Sequence, residues 1–587
     1  MSGSPAPLRP GLRLRPSLAV ALCVTLGTLL PALYGYAARL PEPVVHDEFS
    51  YLLGADTLAL GRLANPPPKL PEFFETHHVL VVPRYQSKYP PAQAVVLALG
   101  KRLTGQPIWG VWLSCGLFAG SLCWMLQAWA PRPWALATSL VTITTLGIST
   151  YWAQSYWGGA IAACGSALVL GGVRRTIRSP TVATTISMAV GAVLLATSRP
   201  YEGAFVLAPA GYLVFTWLFK ARTHQVREKA LHVVLPAAMI LGGGAAFTGA
   251  YNRAITGSSL QLPYAIHHRQ YFGQGIFLFS RVRAPERTPT PRIAEFRREW
   301  IQPPARGFDL VGRVIGNFIG RVALSVMVPF GFAPQPVGTP YRAVSMWLML
   351  LVFCWRPLST RTFALALLPL TVLEVCAWRF LPAYPFSLAP IVIPAWLMAF
   401  ERTMLLESRW CVFVTAVLLI AGLGQAIVSW WYPHYAAPLV PLVLAGAALC
   451  LQRLARVAAQ KVSPRLGVVM IVLLAVHVPP MALSAALHRS AAVRAEGELR
   501  SRGDVVNLLE RRGGSHLVFV RYDEGYPTAL EWVYNGADLE GSVVVFAHDL
   551  GEDRNPDLLA VYTARSAWRL TVSARKASLE PYASSRR

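Results

Sequence analysis

The sequence predicts a mainly helical, polytopic membrane protein carrying a small α/β domain at its C-terminal end. Three observations predict it. First, 54% of the 587 residues are hydrophobic and 14% charged, too apolar a balance for a soluble globule, and many apolar runs are long enough to cross a bilayer. Second, the net charge of +25 is unevenly placed: before Ala486 there are 40 Lys/Arg against 15 Asp/Glu, and from Ala486 onward 14 against 14. Third, the chain changes near that residue to ordinary soluble composition with short helix and strand periodicities. The division is therefore 1–485, membrane-embedded, and 486–587, a small soluble α/β domain.

Cations concentrated between apolar runs argue for membrane orientation and against nucleic-acid binding. All eight cysteines fall in or beside apolar segments, none in the polar tail, so neither a disulfide framework nor a zinc-type spacing is present.

The first apolar stretch, Ser17 to Ala38, follows Arg9, Arg13 and Arg15 and is too long for the core of a cleaved signal. It reads as an uncleaved helix with a cytoplasmic N-terminus. Residues 40–90 then form an outer loop, with an amphipathic segment from Phe49 to Leu63 expected to lie on the membrane surface. Pro90-Pro91 opens a short apolar helix running to Leu103, because proline is tolerated in a first turn and not inside a helix. A full span follows at 107–129, with others at 133–151, 158–173, 182–198, 203–219 and 231–251. Under this count Arg174-Arg175 and Lys220–Lys229 fall inside.

Residues 252–308 make a long outer loop with nine arginines. The stretch 308–332, interrupted by Arg313 and Arg321, reads as an interfacial or partly buried helix. Spans at 341–355, 362–379, 386–401, 409–430, 436–452 and 466–485 complete a scheme of about thirteen. Glu374, within one of them, is expected to pair with Arg379. In the tail, helical periodicity at 505–509 precedes apolar strands at 517–520 and 543–546, with a helix-then-strand pattern after Asp557.

Acid is scarce in the membrane part and gathered in one place. Only three aspartates precede Ala486, and six of the fifteen acidic residues there lie between Glu42 and Glu75. An Asp-Glu pair in a loop reads first as a solvated connector. Here, however, Asp47-Glu48 follows the first span directly, and the one topology puts it on the same face as Lys88-Tyr89-Pro90-Pro91 and the arginine-rich loop. A carboxylate at that surface suits a general base or a divalent-cation ligand, and lysine or arginine neutralises phosphate. The combination suits a lipid-phosphate donor with its head group outside and its tail among the helices. Asp56 and Asp309 stand outside this pattern, Asp56 on a solvent-facing position of its segment. His46, His77 and His78 read as surface histidines, and Lys88 alone reads as a residue snorkelling from a helix end.

The residues Asp47-Glu48 with Tyr51, then Lys88-Tyr89-Pro90-Pro91, then Tyr432-Pro433-His434-Tyr435 with Pro438, resemble motifs of the polytopic glycosyltransferases of the GT-C superfamily. Within it the likeness is to the protein O-mannosyltransferases and the lipid A aminoarabinose transferases. The resemblance implies Asp47 as catalytic carboxylate, Glu48 as its neighbour and Lys88 as a contact to the donor phosphate. Tyr51, His434 and Tyr435 become further substrate-binding candidates. Two departures stand out: Ser50 occupies a place where the family often has Arg, and Tyr89 interrupts its Lys-Pro-Pro form. Arg84 and Arg199 are therefore added as phosphate contacts, and Asp47, Glu48 and His77 as candidate ligands for a divalent cation.

The expected activity is transfer of a sugar from a polyprenyl-phosphate carrier to a protein, lipid or glycan acceptor on the outer face of a bacterial-type cytoplasmic membrane. The partners are that donor and membrane lipids. A secondary transporter and a non-enzymatic envelope-assembly factor are the rival classes. Charge loaded at one surface and the lack of an internal repeat weigh against transport.

Overall fold

The computed structural model describes residues 15–327, 408–461 and 499–582, apart from 39, 149, 158, 221–225, 289, 500 and 574–575. The expected spans at 341–401 and 466–485, and the Glu374–Arg379 pair, lie outside the described residues. What is described is mainly helical. Helices are numbered in order along it.

Helix α1 (Pro16–Ala38) packs along α4 (Ile108–Trp129). The approach is close because both carry small residues at the crossing: a Cβ on Gly116 would sit 2.0 Å from Thr28 Oγ1 and 2.5 Å from the Val24 carbonyl oxygen. In lipid, where apolar contact between helices has no hydrophobic advantage over contact with acyl chains, such interdigitation supplies the attraction. Between them in sequence come α2 (His46–Ala59) and α3 (Ala92–Thr104). Gly110 lets α3 sit on α4, since a Cβ there would lie 2.0 Å from the Val96 carbonyl oxygen.

Helix α5 (Arg132–Leu146) stops short of the expected 151. The chain beyond it turns back into the bundle, with Gln154 Nε2 donating to the carbonyls of Pro31 and Ile148 at 3.0 and 2.7 Å. Then come α6 (Ala160–Arg178), α7 (Val182–Ser198) and α8 (Pro200–Phe219). Thr181 begins α7 with a reciprocal cap to Thr184, satisfying two backbone N–H groups. Pro200 at the first position of α8 starts that helix earlier than the expected 203. A short α9 (Val226–Lys229) continues through a π turn into α10 (Leu235–Thr256). Among the described residues five helical segments are long and apolar enough to cross a membrane: α1, α4, α6, α8 and Ala230–Thr256.

The segment after α10, expected from sequence as the second outer loop, holds α11 (Pro263–His267) and α12 (Pro291–Trp300), followed by α13 (Gly307–Met327). Helix α13 covers most of the stretch expected at 308–332. It packs on α14 (Ser408–Ala426), and its polar residues serve that helix's end: Arg321 donates to the carbonyls of Gln425 and Val428, and Asn317 Nδ2 to Ala426 at 3.0 Å. These include carbonyls a helix C-terminus leaves without partners. A 3₁₀ turn (Pro433–Leu439) leads into α15 (Val440–Lys461). The main apolar core joins α4, α6, α14 and α15, with Trp129, Trp152, Trp410 and Val440 all buried.

The tail begins with α16 (Arg502–Arg512), capped reciprocally by Ser501 and Asp504. Its strands β3 (His516–Tyr522), β4 (Val544–His548), β5 (Ser566–Val572) and β6 (Ala577–Pro581), with α17 (Asn555–Val561) between β4 and β5, form a four-stranded sheet of order β4-β3-β5-β6. The β3–β4 and β3–β5 pairs are parallel and β5–β6 antiparallel. One face of this sheet shares its core with the first outer loop: Leu53, Phe73, Phe74 and Tyr85 pack with Leu517, Phe519, Val545 and Leu558. Two-residue strands β1 (Val79–Leu80) and β2 (Gln86–Ser87) form a small hairpin in that loop.

This packing explains why α2 does not lie exposed on a membrane surface. The tail covers its outward side, and His46, Phe49, Tyr51, Leu53 and Ala55 are all buried. Asp56 likewise is not solvent-facing: it is half-buried and paired with Lys101 Nζ at 2.6 Å. Asp309 is exposed and paired with Arg313 one turn along α13, at 2.9 Å.

Candidate active site

Six chain segments converge on one cavity of about 360 Å³. Helix α2 contributes Asp47 and Tyr51 from its first turns, and His78 comes from the residue just ahead of β1. Lys88 and Tyr89 stand just ahead of α3. The α7–α8 junction adds Arg199 and Glu202, the second outer loop Tyr264, and the stretch before α15 Tyr432 and Tyr435. Ala529 of the tail also reaches the wall.

Beside Glu202, the cavity wall carries the carboxylate of Asp47. Tyr89 Oη donates to its Oδ1, and His78 Nε2 lies 3.5 Å from its Oδ2. Tyr89 is held in place by stacking on Tyr51, with ring centroids 4.5 Å apart. At 23% side-chain exposure Asp47 keeps access to the cavity.

Lys88 is 3% exposed. Its ammonium lies 4.6 Å from the Tyr264 ring centre and 5.2 Å from that of Tyr89, and no hydrogen-bond acceptor holds it among the described residues. Burial lowers its pKa from the ordinary lysine value to about 7, with Asp47 pulling the other way. Arg199 lies over the Tyr435 ring at 4.3 Å, likewise without a hydrogen bond or salt bridge among the described residues. Two cations thus face the cavity from aromatic cradles, and Asp47 and Glu202 both line the same wall.

Of the residues singled out from sequence, Asp47, Lys88, Arg199, Tyr51 and Tyr435 come together here. Four others do not. Glu48 is buried and turned inward: its Oε2 accepts from the Val44 and Val45 N–H groups at 2.9 and 3.3 Å, and its Oε1 from Tyr156 N–H at 3.1 Å. It anchors the start of α2, and burial raises its pKa against those three donors. Arg84 is exposed in the outer loop. His434 is buried behind the wall, its Nδ1 3.5 Å from Tyr151 Oη and its ring 4.7 Å from that of Trp157.

His77 is buried against Phe296, ring centres 3.6 Å apart, and neither of its ring nitrogens has a partner among the described residues. The candidate cation set Asp47, Glu48 and His77 is therefore not assembled, and among the described residues no three side chains of ligating type form such a group.

The histidines also depart from the surface reading. His46 is 2% exposed, its Nε2 2.9 Å from the Thr528 carbonyl, and burial lowers its pKa despite Glu531 nearby. The cause is the tail: Leu530 makes an isolated bridge to Val45, and Glu531 N–H donates to the Val44 carbonyl at 3.2 Å. Arg292 of α12 ties the same segment down through the carbonyls of Tyr526, Pro527 and Leu530, at 3.1, 2.6 and 3.2 Å. Sequence reasoning missed Tyr264 and Tyr89 as cavity residues; Tyr89 had a signal in its place beside Lys88, and Tyr264 had none.

No protein-family model and no curated protein matches the sequence. Among solved structures, the chain is similar to ArnT from Cupriavidus metallidurans bound to undecaprenyl phosphate, at 14% identity over 94% of this chain and 92% of that one, TM-score 0.43. It is also similar to the Archaeoglobus fulgidus oligosaccharyltransferase in complex with Zn and sulfate, at 10% identity over 94% and 67%, TM-score 0.43. A third match is AglB of the same organism with an inhibitory peptide and a dolichol-phosphate, at 10% identity over 94% and 69%, TM-score 0.42.

Proposed function

We propose that the protein is an integral-membrane glycosyltransferase that moves a sugar from a polyprenyl-phosphate donor to an acceptor on the extracytoplasmic face. The observation that carries this reading is the grouping of Asp47 with Lys88 and Arg199 on one aromatic-walled cavity. In the reaction, the acceptor's O–H or N–H gives its proton to Asp47 as the acceptor atom bonds to the anomeric carbon. The bond from that carbon to the phosphate oxygen breaks, and its electron pair leaves with the polyprenyl phosphate. Lys88 and Arg199 stabilise that developing charge, which is worth most where water is excluded. The tyrosine faces around them suit the C–H surface of a sugar.

In this reading 1–485 is the catalytic part, with its N-terminus cytoplasmic. Residues 486–587 cover the site from outside and hold the start of α2 in place, rather than supplying a reacting group. The test is transfer of label from a polyprenyl-phosphate sugar to envelope acceptors by the purified protein. Transfer by wild type and its loss in Asp47→Asn is the expected result. Solute uptake into proteoliposomes without any transfer would replace the reading with a transporter.

A further inference from the structure

The geometry points to His78 as the positioning residue of Asp47, the imidazole that fixes one carboxylate oxygen while Tyr89 fixes the other. This rests on the glycosyl-transfer reading for its kinetic consequence but not for the pairing itself.

His78 adopts φ of +68°, and Leu70 is the only other non-glycine residue with positive φ among the described residues. A residue with a Cβ is strained in this region, which glycine enters freely. Such strain persists where the surroundings over-determine it, and here they do. The His78 N–H donates to His267 Nε2 at 3.0 Å. Its carbonyl accepts from Ser50 Oγ at 2.6 Å and from the Lys88 N–H at 3.1 Å. Ser50 Oγ is itself 2.8 Å from Ser87 Oγ. The strained residue therefore ties the start of α2 to the strand that delivers Lys88.

Glycine would satisfy that backbone without strain, so the imidazole has its own reason to be there. Its Nε2 faces Asp47 Oδ2 at 3.5 Å and its Nδ1 is buried without a partner. Burial and the neighbouring Lys88, His267, His77 and His46 keep the ring neutral, so a single ring proton must choose between the two nitrogens. A buried N–H without an acceptor costs more than a bare lone pair. The proton accordingly sits on Nε2 and is directed at Asp47. With Tyr89 Oη donating to Oδ1 and the imidazole of His78 facing Oδ2 at 3.5 Å, the carboxylate is held between the two and keeps lone pairs turned to the cavity. His78 exchanges no proton in the reaction; it acts through Asp47.

Two variants and one spectrum test this in the full-length, detergent-purified protein. His78→Gly relieves the backbone and removes the donor, so kcat should fall about ten- to hundredfold, the range of one lost hydrogen bond to a charged group, with the donor KM within about threefold. His78→Gln restores an amide donor of similar reach and should recover at least about tenfold of that loss. In protein labelled with ¹⁵N in histidine rings, the resonance lost in His78→Gln should shift in Asp47→Asn. A His78→Gly enzyme with kcat within about threefold of wild type would overturn the inference, as would a His78 resonance indifferent to Asp47→Asn. If wild type transfers no sugar from any polyprenyl donor, the functional reading fails, and the resonance alone still decides the pairing.

Discussion

Two regions of this protein set buried cations against aromatic rings, and they use them differently. At the end of α6, Arg174 lies over Trp129 and Trp410, at 4.6 and 4.9 Å, and its Nε donates to the Ala128 carbonyl at 2.8 Å. Arg175 lies 4.0 Å over Trp124 and donates to that residue's carbonyl at 2.5 Å. These guanidinium groups staple α6 to α4. At the opposite ends of the helices Lys88 and Arg199 rest on tyrosines in the same way, yet no protein acceptor among the described residues completes their bonding. Leaving a buried cation short of acceptors is costly, so in the proposed reading the open pair takes the donor phosphate while the closed pair holds helices together.

Several substitutions and a titration break or sharpen this contrast. The largest effect should come from the carboxylate opposite the open pair. Asp47→Asn keeps size and removes the negative charge, and should lower kcat by about a hundred- to ten-thousandfold, the usual share of a general base, with the protein still folded and stable in detergent. Glu48→Gln should reverse that profile, because three backbone N–H groups rest on this carboxylate: thermal stability falls first. Next, Lys88→Ala should cost about a hundredfold in turnover, as for removal of one preorganised charge-stabilising donor, with Lys88→Arg recovering part of it.

The third effect is on pH. The folded pKa of Lys88 lies below its unfolded value, so the unfolded chain binds more protons between about 7 and the ordinary lysine range. This group's burden on stability is full below pH 7 and lifts as pH rises through that window. Donor binding should run the other way, since the phosphate needs the ammonium. Affinity for a phosphodiester-linked donor should weaken by up to about tenfold per unit above pH 7, and Lys88→Arg should flatten the slope. Smallest in activity is Arg174→Ala: turnover within about threefold of wild type, with a loss of about 1–3 kcal/mol in stability, read by thermal unfolding in detergent.

How much of this was legible in the sequence depended on the range of the forces involved. The span read at 107–129 appears as Ile108–Trp129 and that at 182–198 as Val182–Ser198, because apolar run length and proline placement are local signals. Asp47 and Lys88 were legible as polar residues stranded at membrane boundaries. The inward turn of Glu48, the burial of His46 and His77 and the approach of Tyr264 were not. Each depends on chain a hundred or more residues away: Tyr156 for Glu48, Thr528 and Leu530 for the His46 segment, α11 for the cavity wall. Arg84 illustrates the converse, since adjacency to the motif in sequence left it on the exposed side of its loop.

The central claim is that the open cations of the outer cavity hold a lipid phosphate, and equilibrium binding of radiolabelled polyprenyl phosphate tests it most directly. Purified wild type and Arg174→Ala should bind with the same affinity, and the Lys88→Ala/Arg199→Ala double variant at least about tenfold more weakly, the loss expected when charge-assisted contacts go. Equal binding by all three proteins, or a loss in Arg174→Ala as large as in the double variant, would contradict the account.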